Sequence, residues 1–132
     1  MIVVLDASGA AEIALNRPKA PRFREVLSDA DLVLAPDVFV AEITNVFWKY
    51  VRFSGLSPSE ATQAVDFSIG LVDSFAEARL LWREALAEAV RLSHPVYDLC
   101  YAITARRNGA CLMTCDGKLE SLCAQLGVAT VV

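Results

Sequence analysis

Four acidic residues, far apart in the chain, stand at positions where carboxylates do chemistry: Asp6, Glu42, Asp98 and Asp116. Asp6 directly follows the apolar run Ile2-Val3-Val4-Leu5, and Asp116 lies two residues beyond Thr114, which closes a second such run. Glu42 interrupts an apolar stretch of Phe39, Val40, Ala41 and Ile43, and Asp98 opens a helical segment after Pro95. Each has an ordinary explanation as well. Asp6 can cap a helix, Asp116-Gly117 can form a turn, and Asp98 can complement a helix start. Glu42, Asn45 and Lys49 can form a solvated stripe. Gathered in one place, however, four acids with few neighbouring cations would repel one another and raise one another's pKa values. A divalent cation removes that conflict. Oxygen donors without paired histidine or cysteine suit magnesium, or alternatively manganese.

The elements that would gather them follow from hydrophobic period and breakers. Strands are expected at Ile2–Leu5, Leu32–Ala35, Cys111–Thr114 and Val128–Val132, with a weaker one at Leu71–Ser74. Helices are expected from Ala7 to about Asn16, Arg22 to Ser28, Val38 to about Phe53, and Pro58 to about Ser68. The last of these is announced by Ser57 and Glu60, an S-x-x-E capping box with proline at the first helical position. Further helices are expected at Glu77 to about Ser93, Tyr97–Asn108 and Lys118–Leu126. Short, continuously apolar strands alternating with helices indicate an α/β fold, a three-layer doubly wound sandwich around a central five-stranded parallel sheet. In such a sheet strands 1, 2 and 3 wind one way and strands 4 and 5 extend beyond the other side of strand 1. Asp6 and Asp116 then flank the crevice at the switch point, and since neighbouring strands lie about 4.8 Å apart their carboxylates could share a metal.

Residues 1–132 read as a single domain, with no linker, repeat or low-complexity segment. The hydrophobic share of 55% and mean hydropathy of +0.43 are high for this length, so part of the surface is expected to be covered by another chain. No apolar run reaches the roughly 18 residues of a membrane helix, and the N-terminus carries no targeting pattern, so no membrane association and a cytoplasmic location are expected. Cys100, Cys111, Cys115 and Cys123 form no C-x-x-C pair and read as buried free thiols. A net charge of −4 argues against a simple DNA-binding module but not against a nuclease, whose metal offsets its acids.

The chain resembles the PIN-domain ribonucleases, and within them the VapC toxins of bacterial and archaeal toxin–antitoxin pairs. The match is carried by Val4-Leu5-Asp6-Ala7-Ser8, by Pro36 through Glu42 to Asn45, by Val96-Tyr97-Asp98 with Tyr101, and by Leu112-Met113-Thr114-Cys115-Asp116. The resemblance implies that Asp6, Glu42, Asp98 and Asp116 form a catalytic quartet, with Asp6 and Asp98 binding magnesium and Asp116 completing the site directly or through water. It implies supporting hydrogen bonds from Ser8, Asn45 and Thr114. It also implies an RNA substrate, a homodimer and a cognate antitoxin that covers the cleft. Cys100 and Cys115 depart from the small residues more usual at their positions.

The implied chemistry is in-line hydrolysis of an RNA phosphodiester, with Glu42 or Asp116 as proton acceptor. No covalent nucleophile is evident. Ser8 lacks a base partner, and His94, the only histidine, reads as a helix-end residue. Arg17, Lys19, Arg22 and Arg24, together with Lys49 and Lys118, are candidate RNA contacts, although a solvated basic loop would look the same. Trp48, Tyr50, Phe53 and Trp82 are candidate partner contacts or plain core. Two other readings compete: a catalytically silent PIN-like module that binds RNA or protein, and a receiver-like phosphoacceptor domain. The second needs an aspartate at the end of the third strand, where only Asp73 could serve. No G-x-G-x-x-G follows the first strand, which disfavours a dinucleotide enzyme.

Overall fold

A computed structural model describes residues 1–132. Five parallel strands form one sheet: β1 (Ile2–Leu5), β2 (Leu32–Pro36), β3 (Ser74–Ala76), β4 (Cys111–Met113) and β5 (Thr130–Val131), in the order β3-β2-β1-β4-β5. The chain therefore leaves β1 in one direction to build β2 and β3, then crosses back to β4 on the other side. Register is set by Val4, which pairs with Leu34 on one side and Leu112 on the other. Val3, Val4 and Leu5 are wholly buried, as a central parallel strand requires.

Seven helices cover the sheet: α1 (Ala7–Ala14), α2 (Ala20–Asp29), α3 (Val38–Ser54), α4 (Pro58–Gly70), α5 (Trp82–Leu92), α6 (Val96–Asn108) and α7 (Gly117–Gln125). Right-handed crossovers place α1 to α4 on one face and α5 to α7 on the other. The packing follows that division, with α3 against α1 and α4, and α6 against α5, α7 and strands β1, β2 and β4. Helix α6 is buried without interruption from Leu99 to Ala105, which makes it the central helix of its layer. No helix is long and apolar enough to cross a membrane.

Most expected elements are present, including the capping box, in which Ser57 Oγ accepts from the Glu60 amide at 3.0 Å. Three differ. The third strand begins at Ser74 rather than Leu71, because Asp73 is occupied in holding β2. Its amide donates to the Val33 carbonyl and its Oδ2 accepts from the Val33 amide, both at 2.8 Å. The helix expected from Glu77 to Ser93 is broken at Leu81 into a 3-10 turn (Ala78–Leu80) and α5. There the Leu80 carbonyl accepts from Arg107 of α6 at 2.9 Å, and Leu81 is buried. The last strand keeps only two residues, since the Val128 amide is drawn back to the Cys123 carbonyl. Cys100 and Cys123 are buried thiols as expected, Cys111 is partly buried, and Cys115 is exposed.

Candidate active site

The switch point between β1 and β4 is held together by side chains. Asp6, the residue after β1, caps α1 by accepting from the Gly9 amide at 2.7 Å. Ser8 Oγ donates to both its oxygens, at 2.8 and 2.9 Å, and Thr114 Oγ1 donates to Oδ2 at 2.5 Å. The same two hydroxyls accept from amides of the segment that follows β4: Ser8 from Cys115 at 2.8 Å, Thr114 from Asp116 at 2.9 Å. Gly9 is needed where it stands. A β-carbon there would lie 3.1 Å from Leu5 Cδ1 and from the Met113 carbonyl oxygen, and 3.3 Å from Asp6 Oδ1. The missing side chain lets α1 start directly above the strand ends.

Despite four hydrogen bonds to its oxygens, the Asp6 carboxyl is pushed up to about 6. Burial is the main cause, opposed by the donors from Thr114, Gly9 and Ser8, and Asp116 adds a smaller repulsion. No cation faces it. Glu42 enters from α3 and is half-buried; its carboxyl is pushed up to about 7, first by burial, then by Asp98, then by Asp6. Its Oε1 is buried and has no hydrogen-bond partner. Asp98, in the first turn of α6, is paired with His94, whose Nε2 lies 2.8 Å from Oδ2. His94 is thus bonded to one of the four acids rather than merely closing a helix. Asp116 stands exposed at the rim, where its Oδ1 accepts from the Lys118 amide at 2.9 Å and caps α7.

Tyr101 belongs to this site and its role was not legible beyond a motif position. Its ring is buried in the core, its hydroxyl has no partner, and Glu42, Asp6 and Asp98, in that order, add to burial in raising its pKa. One α-helical turn separates it from Asp98, on the same face of α6. A patterned reading sees only a large apolar residue there. Asn45, expected to support a carboxylate, bonds to none of them. It is exposed and lines a cleft beside Glu42.

The acids therefore fall into an inner group, in which Asp6 and Asp98 both act on Glu42, and an outer Asp116 that acts on Asp6. As the side chains stand, no three acidic groups converge closely enough to hold one ion; Asp98 is turned to His94 and Asp116 to the α7 amide. The donor set nonetheless fits a hard divalent cation. It consists of carboxylate and hydroxyl oxygens, Glu42 Oε1 and the Tyr101 hydroxyl are buried without partners, and no lysine or arginine pairs with any of the four acids.

The basic residues divide as well. Arg17 lies over the Tyr50 ring, with 5.3 Å from its guanidinium carbon to the centroid, and hydrogen-bonds the phenol oxygen. Arg24 donates to Asn16 Oδ1 and to the Ile13 carbonyl. Both are occupied with the fold. The side chains of Lys19, Arg22, Lys49 and Lys118 make no hydrogen bond or ion pair and are exposed. The charges of Lys19 and Arg17 reach Cys115, beside the strand ends. Trp48, Phe53 and Trp82 are exposed, while Tyr50 packs against the core. Asp73 precedes β3 and so sits at the end of the sheet opposite the acids, where it cannot serve as a phosphoacceptor at a strand's carboxyl end.

Comparison with known proteins agrees with this architecture. Ribonuclease VapC3 of Pyrobaculum aerophilum is 28% identical over 124 residues, covering 90% of this chain and 92% of that protein. The crystal structure of PAE2754 from Pyrobaculum aerophilum superposes with a TM-score of 0.77 at 21% identity, over 99% of this chain and 84% of the other. VapBC2 from Rickettsia felis, solved bound to a DNA fragment from their promoter, gives a TM-score of 0.68 at 13% identity over 99% and 98% of the two chains. The family model of the PIN domain matches residues 3–125, and the chain belongs to the PIN-domain family.

Proposed function

We propose that this protein is a divalent-metal-dependent endoribonuclease that hydrolyses RNA phosphodiester bonds, and that it is the toxin of a toxin–antitoxin pair. The observation that carries the reading is the inner group of acids, with which no lysine or arginine pairs. Burial pushes the carboxyls of Asp6 and Glu42 up to about 6 and about 7, and Glu42 Oε1 and the Tyr101 hydroxyl are buried without partners. Magnesium, or manganese in its place, would be held by Asp6, Asp98 and Asp116, with Asp98 and Asp116 releasing their present partners. What the bound ion supplies is neutralisation of phosphate charge and a more acidic water.

The chain's own residues do the rest. Ser8, Gly9 and Thr114 orient the Asp6 carboxylate, so that its position does not have to be organised as the substrate arrives. Glu42 is the better candidate for proton acceptor. Its carboxyl, pushed up to about 7, matches the proton affinity wanted of a general base near neutral pH, and its Oε1 has no other hydrogen-bond partner. Asp116 is already engaged with the Lys118 amide. Lys19 and Arg22, with Lys49 and Lys118, would attract the RNA backbone.

Partners follow from the exposed apolar groups. Trp48 and Phe53 stack edge to face at 6.3 Å on α3, and Leu80, Trp82, Leu86 and Val90 stand exposed along the segment leading into and through α5. These surfaces suit a second copy of the chain and a cognate antitoxin, in line with the VapC-type relatives. A cytoplasmic location accords with that role. Incubating the purified protein with total RNA, with and without magnesium, and mapping the cut ends tests the proposal. Asp6→Asn and Asp98→Asn are expected to lower cleavage at least about 100-fold. Cleavage that survives chelation, or survives both substitutions, would overturn it.

A further inference from the structure

Tyr97 is 66% exposed, although it adjoins Asp98 in the first turn of α6. Its hydroxyl makes no hydrogen bond, and its ring has no aromatic or cationic partner in the fold. It forms one wall of a cleft of about 430 Å³, whose other walls are Val38, Ala41, Glu42 and Asn45 of α3. Glu42 lines this cleft and also faces Asp6 and Asp98. Glu42 thus belongs to both the cleft and the acidic group, and Tyr97 adjoins Asp98 in α6, so the cleft lies beside the acidic site. Its surfaces are an aromatic face, two small aliphatic groups and one free amide. That combination matches an unpaired nucleobase, which offers a π-face to stack and an edge to hydrogen-bond. A phosphate would find no cation here, and Glu42 would repel it.

We infer that Tyr97 and Asn45 form a nucleobase subsite that seats one unpaired base next to the cut phosphodiester, Tyr97 by stacking and Asn45 by reading its edge. This rests on the ribonuclease reading above and adds the requirement that the substrate be single-stranded at that position. A second copy of the chain is the other possible occupant, and the test separates the two.

The experiment uses a short single-stranded RNA with a mapped cut, and variants of that RNA with one abasic nucleotide at each position flanking it. For Tyr97→Ala, KM is expected to rise about tenfold or more while kcat changes less, and Tyr97→Phe is expected to behave like the unaltered chain. At one flanking position the abasic nucleotide should cost the unaltered protein the same factor and cost Tyr97→Ala nothing further, the non-additivity that marks a direct contact. Asn45→Ala should flatten the preference among the four bases at that position only. If Tyr97→Ala cleaves like the parent, or its effect adds to the abasic effect at every position, the subsite is overturned and the ribonuclease assignment stands. A change in oligomeric mass by light scattering on Tyr97→Ala would overturn it in favour of a chain–chain contact. If the unaltered protein cuts no RNA with magnesium, both readings fall together.

Discussion

Thr114 and Asp6, 108 positions apart, are joined by a 2.5 Å hydrogen bond that links the carboxyl ends of β4 and β1. The donor lies fully buried and the acceptor nearly so, and the same hydroxyl accepts from the Asp116 amide. One side chain thus sets the spacing of two of the four acids.

Thr114→Val keeps the shape and removes both bonds. It is expected to destabilise the fold by about 2 kcal/mol, since it leaves a buried carboxylate and an amide each short of a partner. It should also move the acid limb of the activity profile to higher pH, because the Thr114 bond lowers the Asp6 pKa. Thr114→Ser should restore most of both. Urea denaturation and a rate–pH profile are the measurements.

Stability and activity should respond to pH in opposite directions. Asp6 and Glu42 titrate near 6 and 7, above the ordinary 3.8 and 4.5. A carboxyl whose pKa is raised by folding binds its proton more tightly in the folded chain, so the associated stability is complete below the unfolded values and is lost as pH rises through the folded ones. For buried Asp6 the rise from 3.8 to about 6 corresponds to roughly 3 kcal/mol. Chelator-treated protein should therefore melt higher at pH 5 than at pH 8, with magnesium narrowing the gap at pH 8. Cleavage, which needs both groups ionised, should fall as pH drops, and the fall should move to lower pH as magnesium is raised. Equal melting temperatures at the two pH values without metal would contradict this.

Tyr101→Phe separates structure from chemistry. The hydroxyl has no protein partner, so its loss should change metal-free stability by less than about 1 kcal/mol. If the hydroxyl donates to a group gathered by the acids, the cleavage rate should fall about tenfold or more, the cost of one hydrogen bond to a charged partner. Magnesium titration by calorimetry on the same variant should show weaker binding.

The basic residues should split by role. Replacing Lys19 and Arg22 by alanine should reduce the slope of log affinity against log salt by about 1.4 for single-stranded RNA, the share of two phosphate contacts. Arg17→Ala should instead lower thermal stability by about 0.5–1 kcal/mol, because its guanidinium is stacked on Tyr50. An unchanged salt slope in the double variant would place the RNA path elsewhere.

Element type and order were legible in the linear chain, because period and punctuation are local. A four-residue apolar run before Asp6, a capping box at Ser57, and glycines after Ser54 and Asn108 each act within a few residues. The strand order followed from handedness and alternation, and with it the meeting of Asp6 and Asp116. Two of the three departures have non-local causes. Asp73 shifted the start of β3 by binding Val33, and Arg107 broke the expected helix by taking the Leu80 carbonyl.

For the site, residue types alone named the four acids, and family likeness linked them. Neither could divide an inner group from an outer one, pair His94 with Asp98, or turn Asn45 away from the carboxylates. Those outcomes depend on desolvation and on distances between elements brought together only by packing. Tyr101 is the sharpest case: in the linear chain its ring is one more large core residue on α6. Where the hydroxyl at the end of that ring comes to rest, near three acids, was decided when α6 packed across β1, β2 and β4.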